Sequence, residues 1–71
     1  MIHNRDFYRH IGSQIKKARK EAGMTQWDLA LAMGYKNITS IYRFEIGEQR
    51  LTIEQLVLVG GIFKKDINYF I

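Results

Sequence analysis

Regularly placed glycines divide this 71-residue chain into segments that are each long enough for only a short helix. Glycines stand at positions 23, 34, 47 and 60–61, and the sequence contains no proline. Between them, apolar residues recur every three or four positions, the spacing of a helix with one buried face rather than of a strand. A glycine just beyond such a segment is typical of a helix C-terminus. The sequence predicts a single all-α domain over residues 1–71, with a compact five-helix architecture.

Local capping patterns place the helix ends. Thr25 with Asp28, and Thr52 with Gln55, have the spacing of a capping box, in which side chain and backbone at a helix start satisfy each other. Gly60-Gly61 inside the fourth helix would cost about 1 kcal/mol each relative to alanine, which indicates close packing or a bend there. The predicted helices run from about Asp6 to Ala22, Thr25 to Gly34, Ile38 to Ile46, Thr52 to Phe63, and from an Asp66 cap to Ile71.

Helical periodicity also predicts which residues face inward. The apolar stripe of the first helix is expected to oppose a basic side formed by Arg9, Lys16 and Lys20. The inward residues are predicted to be Phe7, Ile11, Ile15, Ala18 and Ala22 in the first helix, Leu29, Ala30 and Met33 in the second, and Ile41 and Phe44 in the third.

Composition excludes several classes of function. Without cysteine there is no disulfide, thiolate zinc site or cysteine nucleophile, and His3 and His10 are expected to be solvated. No glycine-rich phosphate loop or paired carboxylates are present, so we predict no enzyme, no cofactor and no metal. No apolar run is long enough to span a membrane, and Arg5, Asp6 and Arg9 interrupt any early signal-like stretch, which favours a soluble cytoplasmic protein. The net charge of +4 favours anionic partners such as nucleic acid.

The segment from 25 to 46 is predicted to be a helix-turn-helix whose second helix has a bare polar face. The chain resembles the lambda-repressor-like (Cro-like, XRE-type) family through several motifs in one order. These are Ile11-Gly12, Lys16-Lys17-x-Arg19-Lys20-x-x-Gly23, Thr25-Gln26-x-x-Leu29-Ala30, Gly34, Ile41-x-x-Phe44-Glu45-x-Gly47, and the segment 56–71. The resemblance implies binding of double-stranded DNA, with the third helix in the major groove. The segment between Gly34 and Ile41 is one residue longer than the usual family turn, so the third helix either begins one position later or follows a wider turn.

The outward face of the third helix supplies the candidate base contacts. Arg43 can donate two parallel hydrogen bonds to guanine, and Thr39 lies one turn earlier on the same face. Ile38 could contact a thymine methyl group, or with Ile46 it could form a patch for a partner protein. Lys36 and Asn37 stand at the head of this helix, where Asn37 could equally serve only as its cap.

Candidate phosphate contacts surround that face. Gln26 begins the second helix, where its amide and the helix dipole favour an anion, and the family resemblance implies the same role. Thr25 and Arg50 are further candidates. Tyr42 could bind phosphate or close the domain edge, and Trp27 could stack on the DNA backbone or cover the seam with the first helix. The resemblance also implies that Arg19 and Glu45 form a structural ion pair between the first and third helices.

The chain end supplies a candidate dimer interface, because Leu58 is predicted to be exposed and an apolar tail follows. Leu58, Tyr69, Phe70 and Ile71 are therefore candidates for a homodimer contact, although Phe70 and Ile71 could instead complete the monomer core. The chain could also be one domain of a longer protein.

The sequence predicts a sequence-specific transcription regulator, most simply a repressor bound to a palindromic operator as a dimer. A phage repressor, a restriction-modification controller or an antitoxin would each fit. The alternative is a protein-interaction module of the same fold, with a toxin or effector domain as partner.

Overall fold

Residues 4–71, the part of the chain that the computed structural model describes, form four α-helices followed by a 3₁₀ turn. The helices are α1 (Asn4–Glu21), α2 (Gln26–Ala32), α3 (Thr39–Ile46) and α4 (Ile53–Phe63), and the turn spans Ile67–Tyr69. These residues contain no strand, so the all-α class is confirmed, with the predicted fifth helix shortened to a single turn. His10 is exposed, and His3 lies outside the described residues.

Both predicted capping boxes are present. The Thr25 hydroxyl accepts a hydrogen bond from the Asp28 N–H at 3.0 Å, and the Asp28 carboxylate accepts one from the Thr25 N–H at 2.8 Å. Thr52 and Gln55 make the same pair of bonds at the start of α4. These bonds satisfy backbone donors that a helix start leaves without a partner, and so fix where α2 and α4 begin.

The longer segment before α3 delays the helix by one residue. α3 begins at Thr39, not at the predicted Ile38, whose side chain makes no capping hydrogen bond. The side-chain oxygen of Asn37 instead accepts the Thr39 N–H at 3.0 Å. The extra residue is therefore accommodated in the turn, and the register of α3 from Ile41 to Gly47 is kept.

A continuous apolar core joins all four helices and the C-terminal segment. Phe70 is fully buried in it and so closes the end of the domain. The buried hydrophobic residues are Ile11, Ile15, Ala18, Leu29, Ala30, Ile41, Phe44, Leu56, Val59 and Phe70.

Three of the predicted inward residues lie at the edge of this core or outside it. Phe7 is exposed because it lies one turn before Ile11, the first residue of the apolar stripe of α1 that is buried. Ala22 is exposed because α1 ends one residue before it, and Met33, just after α2, is only partly buried. The prediction was wrong for Phe7 and Ala22 because periodicity gives a direction around the helix but not how far the opposing helices reach.

Two glycines bring α1 into backbone contact with the end of α3. A Cβ atom on Gly12 would lie 2.1 Å from the Phe44 carbonyl oxygen and 2.7 Å from that of Glu45. On the other side of the crossing, a Cβ on Gly47 would lie 2.8 Å from the Arg9 Cα. Gly47 also ends α3 with a left-handed φ of 80°, which glycine adopts without strain. The position of α1 over α3 therefore depends on both glycines.

The glycine pair of α4 divides into one packed and one open position. A Cβ on Gly60 would lie 2.8 Å from the Lys65 carbonyl oxygen, whereas one on Gly61 would meet nothing within 4 Å. The close packing predicted from the sequence is thus present at Gly60 only.

Of the helices within 4–71, none combines the length and the apolar character needed to cross a membrane.

We expect Gly12→Ala and Gly61→Ala to change stability in opposite directions. Alanine at Gly61 gains about 1 kcal/mol of helix propensity with no steric conflict. Alanine at Gly12 must push the backbones of α1 and α3 apart, which typically costs about 1–3 kcal/mol. This cost outweighs the gain in helix propensity that alanine brings at Gly12 as well. Urea unfolding of the two variants against the wild type measures both changes. Similar stabilisation by both substitutions would show that α1 and α3 can separate without cost.

Candidate DNA-binding surface

The exposed side of α3 is the proposed base-reading face. Thr39, Tyr42, Arg43 and Ile46 lie on this side and are exposed, whereas Ile41, Phe44 and Glu45 are buried on the other. In a helix, residues three or four apart are neighbours, so Thr39, Arg43 and Ile46 form one row along the helix. This row defines the recognition face.

The residues before α3 are also exposed, but one of them has a structural contact. Lys36, Asn37 and Ile38 lie on the turn that leads into the helix. The Asn37 side-chain oxygen is held by the Thr39 N–H, which favours the capping role that the sequence left open. Its amide nitrogen can still donate to an acceptor outside the domain.

A buried ion pair connects α1 with α3. The Arg19 Nε lies 2.6 Å from the Glu45 Oε2, and the Arg19 Nη2 donates to the Glu45 Oε1 at 3.1 Å. The two residues are only 7% and 6% exposed. A third donor of the same guanidinium, Nη1, reaches the Met24 carbonyl oxygen at 2.9 Å, so Arg19 also holds the segment between α1 and α2. This two-point geometry is the strong form of a charged hydrogen bond.

Gln26 joins the same carboxylate from α2. Its side-chain Nε2 donates to the Glu45 Oε1 at 3.1 Å, and the residue is partly buried. The side chain predicted to bind phosphate is therefore oriented by Glu45, while its amide oxygen and second N–H remain available for other contacts. Three helices thus meet at one carboxylate, and the position of Gln26 is coupled to that of α3.

The capping box beside Gln26 carries a charge. The backbone N–H of Thr25, and after it the Thr25 side chain, hold the pKa of Asp28 below its ordinary value of 3.8. Asp28 therefore stays ionised at neutral pH, where it favours the α2 N-terminus. Because this folded-state pKa is lowered, the capping contribution is present above the unfolded pKa and is lost as the pH falls through the lower folded value.

The other phosphate candidates lie at different points around the recognition face. Trp27 and Tyr42 are large aromatic residues that are 46% and 52% exposed, so each presents part of its ring to solvent. The Arg50 guanidinium lies 5.8 Å from the centre of the Tyr8 ring, a cation–π contact that places it against α1.

Comparison with known proteins gives the family. The family model described as helix-turn-helix matches residues 15–70, which is most of the chain. The protein belongs to the Cro-like, XRE-type helix-turn-helix family. This family binds DNA and regulates transcription. Among curated proteins, none matches this chain.

Of the four dimer candidates in this helix-turn-helix domain, Phe70 is corrected by the structure. Its ring is 0% exposed and completes the monomer core, the alternative that the sequence left open, so it is not available to a partner. Leu58 and Ile71 are 44% and 52% exposed. Tyr69 is more buried than either of them. Its ring contacts Phe70 and the Lys65 ammonium, and its buried hydroxyl has no hydrogen-bond partner within the described residues.

Sequence reasoning missed the side of α1 that meets the end of α3. Arg9 is exposed, as expected for the basic side of α1, but its backbone and the first part of its side chain also lie against Gly47. The family match begins at residue 15, so it gives no guide to this part of α1. The available signal was the seven-residue spacing of Arg5, Gly12 and Arg19, which places all three close to one side of the helix.

We expect Glu45→Ala to destabilise the domain by about 3–5 kcal/mol, because it leaves the buried Arg19 guanidinium without its counter-charge. Glu45→Gln, which keeps one acceptor oxygen, should cost less. Thermal unfolding followed by circular dichroism measures both. Glu21→Ala, at the exposed end of α1, is the matched control and should change stability by no more than about 0.5 kcal/mol. If Glu45→Ala behaved like this control, the ion pair would have no part in holding α1 to α3.

Proposed function

We propose that this protein is a transcriptional repressor that binds a palindromic operator as a homodimer and reads it with α3. The observation that carries the proposal is the recognition face, in which Arg43 and Thr39 project from a helix whose buried side is fixed to α1 and α2 through Glu45. A rigidly held helix with an exposed polar row has the form that major-groove reading requires.

The dimensions of α3 suit the groove. An α-helix with its side chains is about 10–12 Å across, close to the width of the major groove, and the eight residues of α3 give a length of about 12 Å. Arg43 would donate to guanine O6 and N7, and Thr39 would contact a base edge or a thymine methyl. Ile38 supplies a second methyl contact, and Lys36 and the Asn37 amide reach bases or phosphate at the head of the helix.

Phosphate contacts would fix the domain on the duplex without selecting sequence. Gln26, oriented by Glu45, is the principal contact from α2. Thr25, Trp27, Tyr42 and Arg50 are further contacts that we place around it. Each cation that neutralises a phosphate releases counterions, so affinity should fall steeply with salt.

Dimer formation is proposed through the exposed apolar surface of the C-terminal half. Leu58, Ile71 and Tyr69 are the proposed contacts, and α4 also exposes Ile53 and Val57, the former by 70%. A small domain that leaves so many large apolar side chains in water indicates a protein contact. Two-fold symmetry would place the recognition helices about 34 Å apart, one turn of DNA. A dimer held there would repress by covering promoter DNA.

A second candidate function is a protein-interaction module. It is favoured by the apolar share of the exposed α3 surface, where Ile38, Tyr42 and Ile46 all face water. Such a patch would bind a protein partner with little dependence on salt, whereas DNA binding depends on salt strongly.

Selection from a random duplex library at about 150 mM salt tests the proposal, because sequence-independent binding is weak near that ionic strength. Enrichment of a palindrome with half-sites one turn apart would support the repressor proposal in full. A single half-site would refute the dimer, and no enrichment by a folded protein would refute DNA reading and favour the interaction module.

We expect Arg43→Ala and Gln26→Ala to weaken binding in different ways. Loss of Arg43 should relax the preference at one base pair of each half-site, worth about 1–3 kcal/mol. Loss of Gln26 should weaken all sequences alike, because phosphate carries no sequence information. Repeating the selection with each variant separates the two, with Lys16→Ala on the exposed side of α1 as control. Equal weakening of every sequence by Arg43→Ala would make Arg43 a phosphate contact.

We expect Leu58→Glu to shift the protein from dimer to monomer, because two carboxylates would be buried across the symmetry axis without partners. Sedimentation velocity over a range of concentrations measures the shift. Leu31→Glu makes the same change at an exposed leucine of α2 and should leave the dimer intact. A wild-type protein that stays monomeric at all concentrations would contradict the proposed interface.

A further inference from the structure

A basic cleft lies where α1 passes the end of α3. It has a volume of about 580 Å³ and is lined by Arg5 and Arg9 of α1 and by Ile46, Gly47 and Glu48. We refer to it as the arginine cleft. Its two arginines precede residues 15–70, the part of the chain that the family model matches.

The backbone contact described above fixes this cleft relative to α3. Arg9 Cα and Cγ would lie 2.8 Å and 2.7 Å from a Cβ on Gly47, so the stem of Arg9 rests directly on the turn that ends α3. One turn further along α1, Gly12 lies against the carbonyl oxygens of Phe44 and Glu45. Arg9 therefore cannot move away from the end of α3 unless the whole crossing opens.

Helix geometry keeps the two arginines together. Arg5 and Arg9 are four residues apart, which makes them neighbours on one side of α1. Arg5 also precedes Gly12 by seven residues, so it continues the side of α1 that faces α3. Beyond the end of α3, this side of α1 changes from a packing surface to a cationic one.

The cleft adjoins the recognition face. Ile46 lines the cleft and is the last member of the row that begins with Thr39 and Arg43. The N-terminal residues of a recognition helix contact base edges. With that end at the bases, the C-terminal end of α3 would lie nearer the sugar-phosphate backbone at the groove edge.

The charge of the cleft suits that position. Two arginines and one glutamate, Glu48, line the cleft, so the lining carries more positive than negative side chains. Arg50 brings a further cation close to this part of α1, because its guanidinium lies over the ring of Tyr8, the residue before Arg9. Guanidinium groups bind phosphate with paired, parallel hydrogen bonds.

We propose that the arginine cleft is a phosphate-binding surface, through which the first turns of α1 bind the DNA backbone beside the C-terminal end of α3. This inference rests on the proposed DNA-binding function and adds to it a contact from outside the helix-turn-helix segment. Arg9 is its central residue, because the contact with Gly47 fixes its position.

The test is the salt dependence of binding to the selected operator. Each phosphate contact contributes about 0.9 to the slope of log K against log salt on duplex DNA. Arg9→Gln should lower the magnitude of that slope by about 0.9, the equivalent of one phosphate contact, and the double variant Arg5→Gln/Arg9→Gln by about twice as much. The selected sequence should stay the same. Arg9→Lys, which keeps the charge, should restore most of the slope. Glu48→Gln should tighten binding, because it removes a negative charge from the lining of the cleft.

Lys16→Gln and Lys20→Gln are matched controls that remove one charge each from exposed positions of the same helix. If these controls lowered the salt-dependence slope as much as the arginine variants do, the arginines would act only through the overall electrostatic field of the protein. That result would overturn the proposal. An unchanged slope in Arg9→Gln would overturn it as well. Melting temperatures are measured in parallel, and if Arg9→Gln unfolds, Arg5→Gln alone decides the result. A wild-type protein that binds no DNA at low salt would refute the DNA-binding function itself, a result distinct from both.

Discussion

The Glu45 carboxylate is the point at which the three helices of the candidate DNA-binding surface are held together. Arg19 reaches it from α1 with two hydrogen bonds and Gln26 reaches it from α2 with one, while Glu45 itself belongs to α3. Removing two charges from water costs about as much as their attraction returns, so such a pair adds little net stability compared with apolar packing. Its consequence is geometric. Any rotation of α3 that would turn Arg43 away from solvent must also break this buried network.

The close crossing of α1 and α3 is the second constraint, and it depends on the absence of side chains. Glu45 can meet Arg19 across the interface only if the helices lie close together, and Gly12 allows this by leaving room for the α3 carbonyl groups. Gly47 allows the same approach one turn nearer the N-terminus of α1. The ion pair and the two glycines therefore specify the same arrangement, the ion pair by attraction and the glycines by permitting contact.

The sequence predicted those features that local chemistry determines. Capping boxes at Thr25 and Thr52 fixed two helix starts, because donor and acceptor lie within four residues. Helical periodicity identified the buried side of α3. It could not show that Phe70 lies inside the core, or that Arg9 lies against Gly47, because both depend on which segments meet across long sequence distances. The late start of α3 was one of two outcomes that the extra turn residue left open.

In the proposed complex, affinity and specificity are carried by different parts of this surface. Base reading would fall to a short row, Thr39 and Arg43, whose geometry depends on the buried side of α3. Phosphate binding would fall to its surroundings: Gln26 at the start of α2 and the arginine cleft at the end of α3. Because α1 contacts α3 through Gly12 and supplies Arg9 from the same rigid helix, a phosphate bound by Arg9 would also fix how deeply α3 enters the groove. Substitutions in α1 could then alter affinity for every operator while the preferred sequence stays the same.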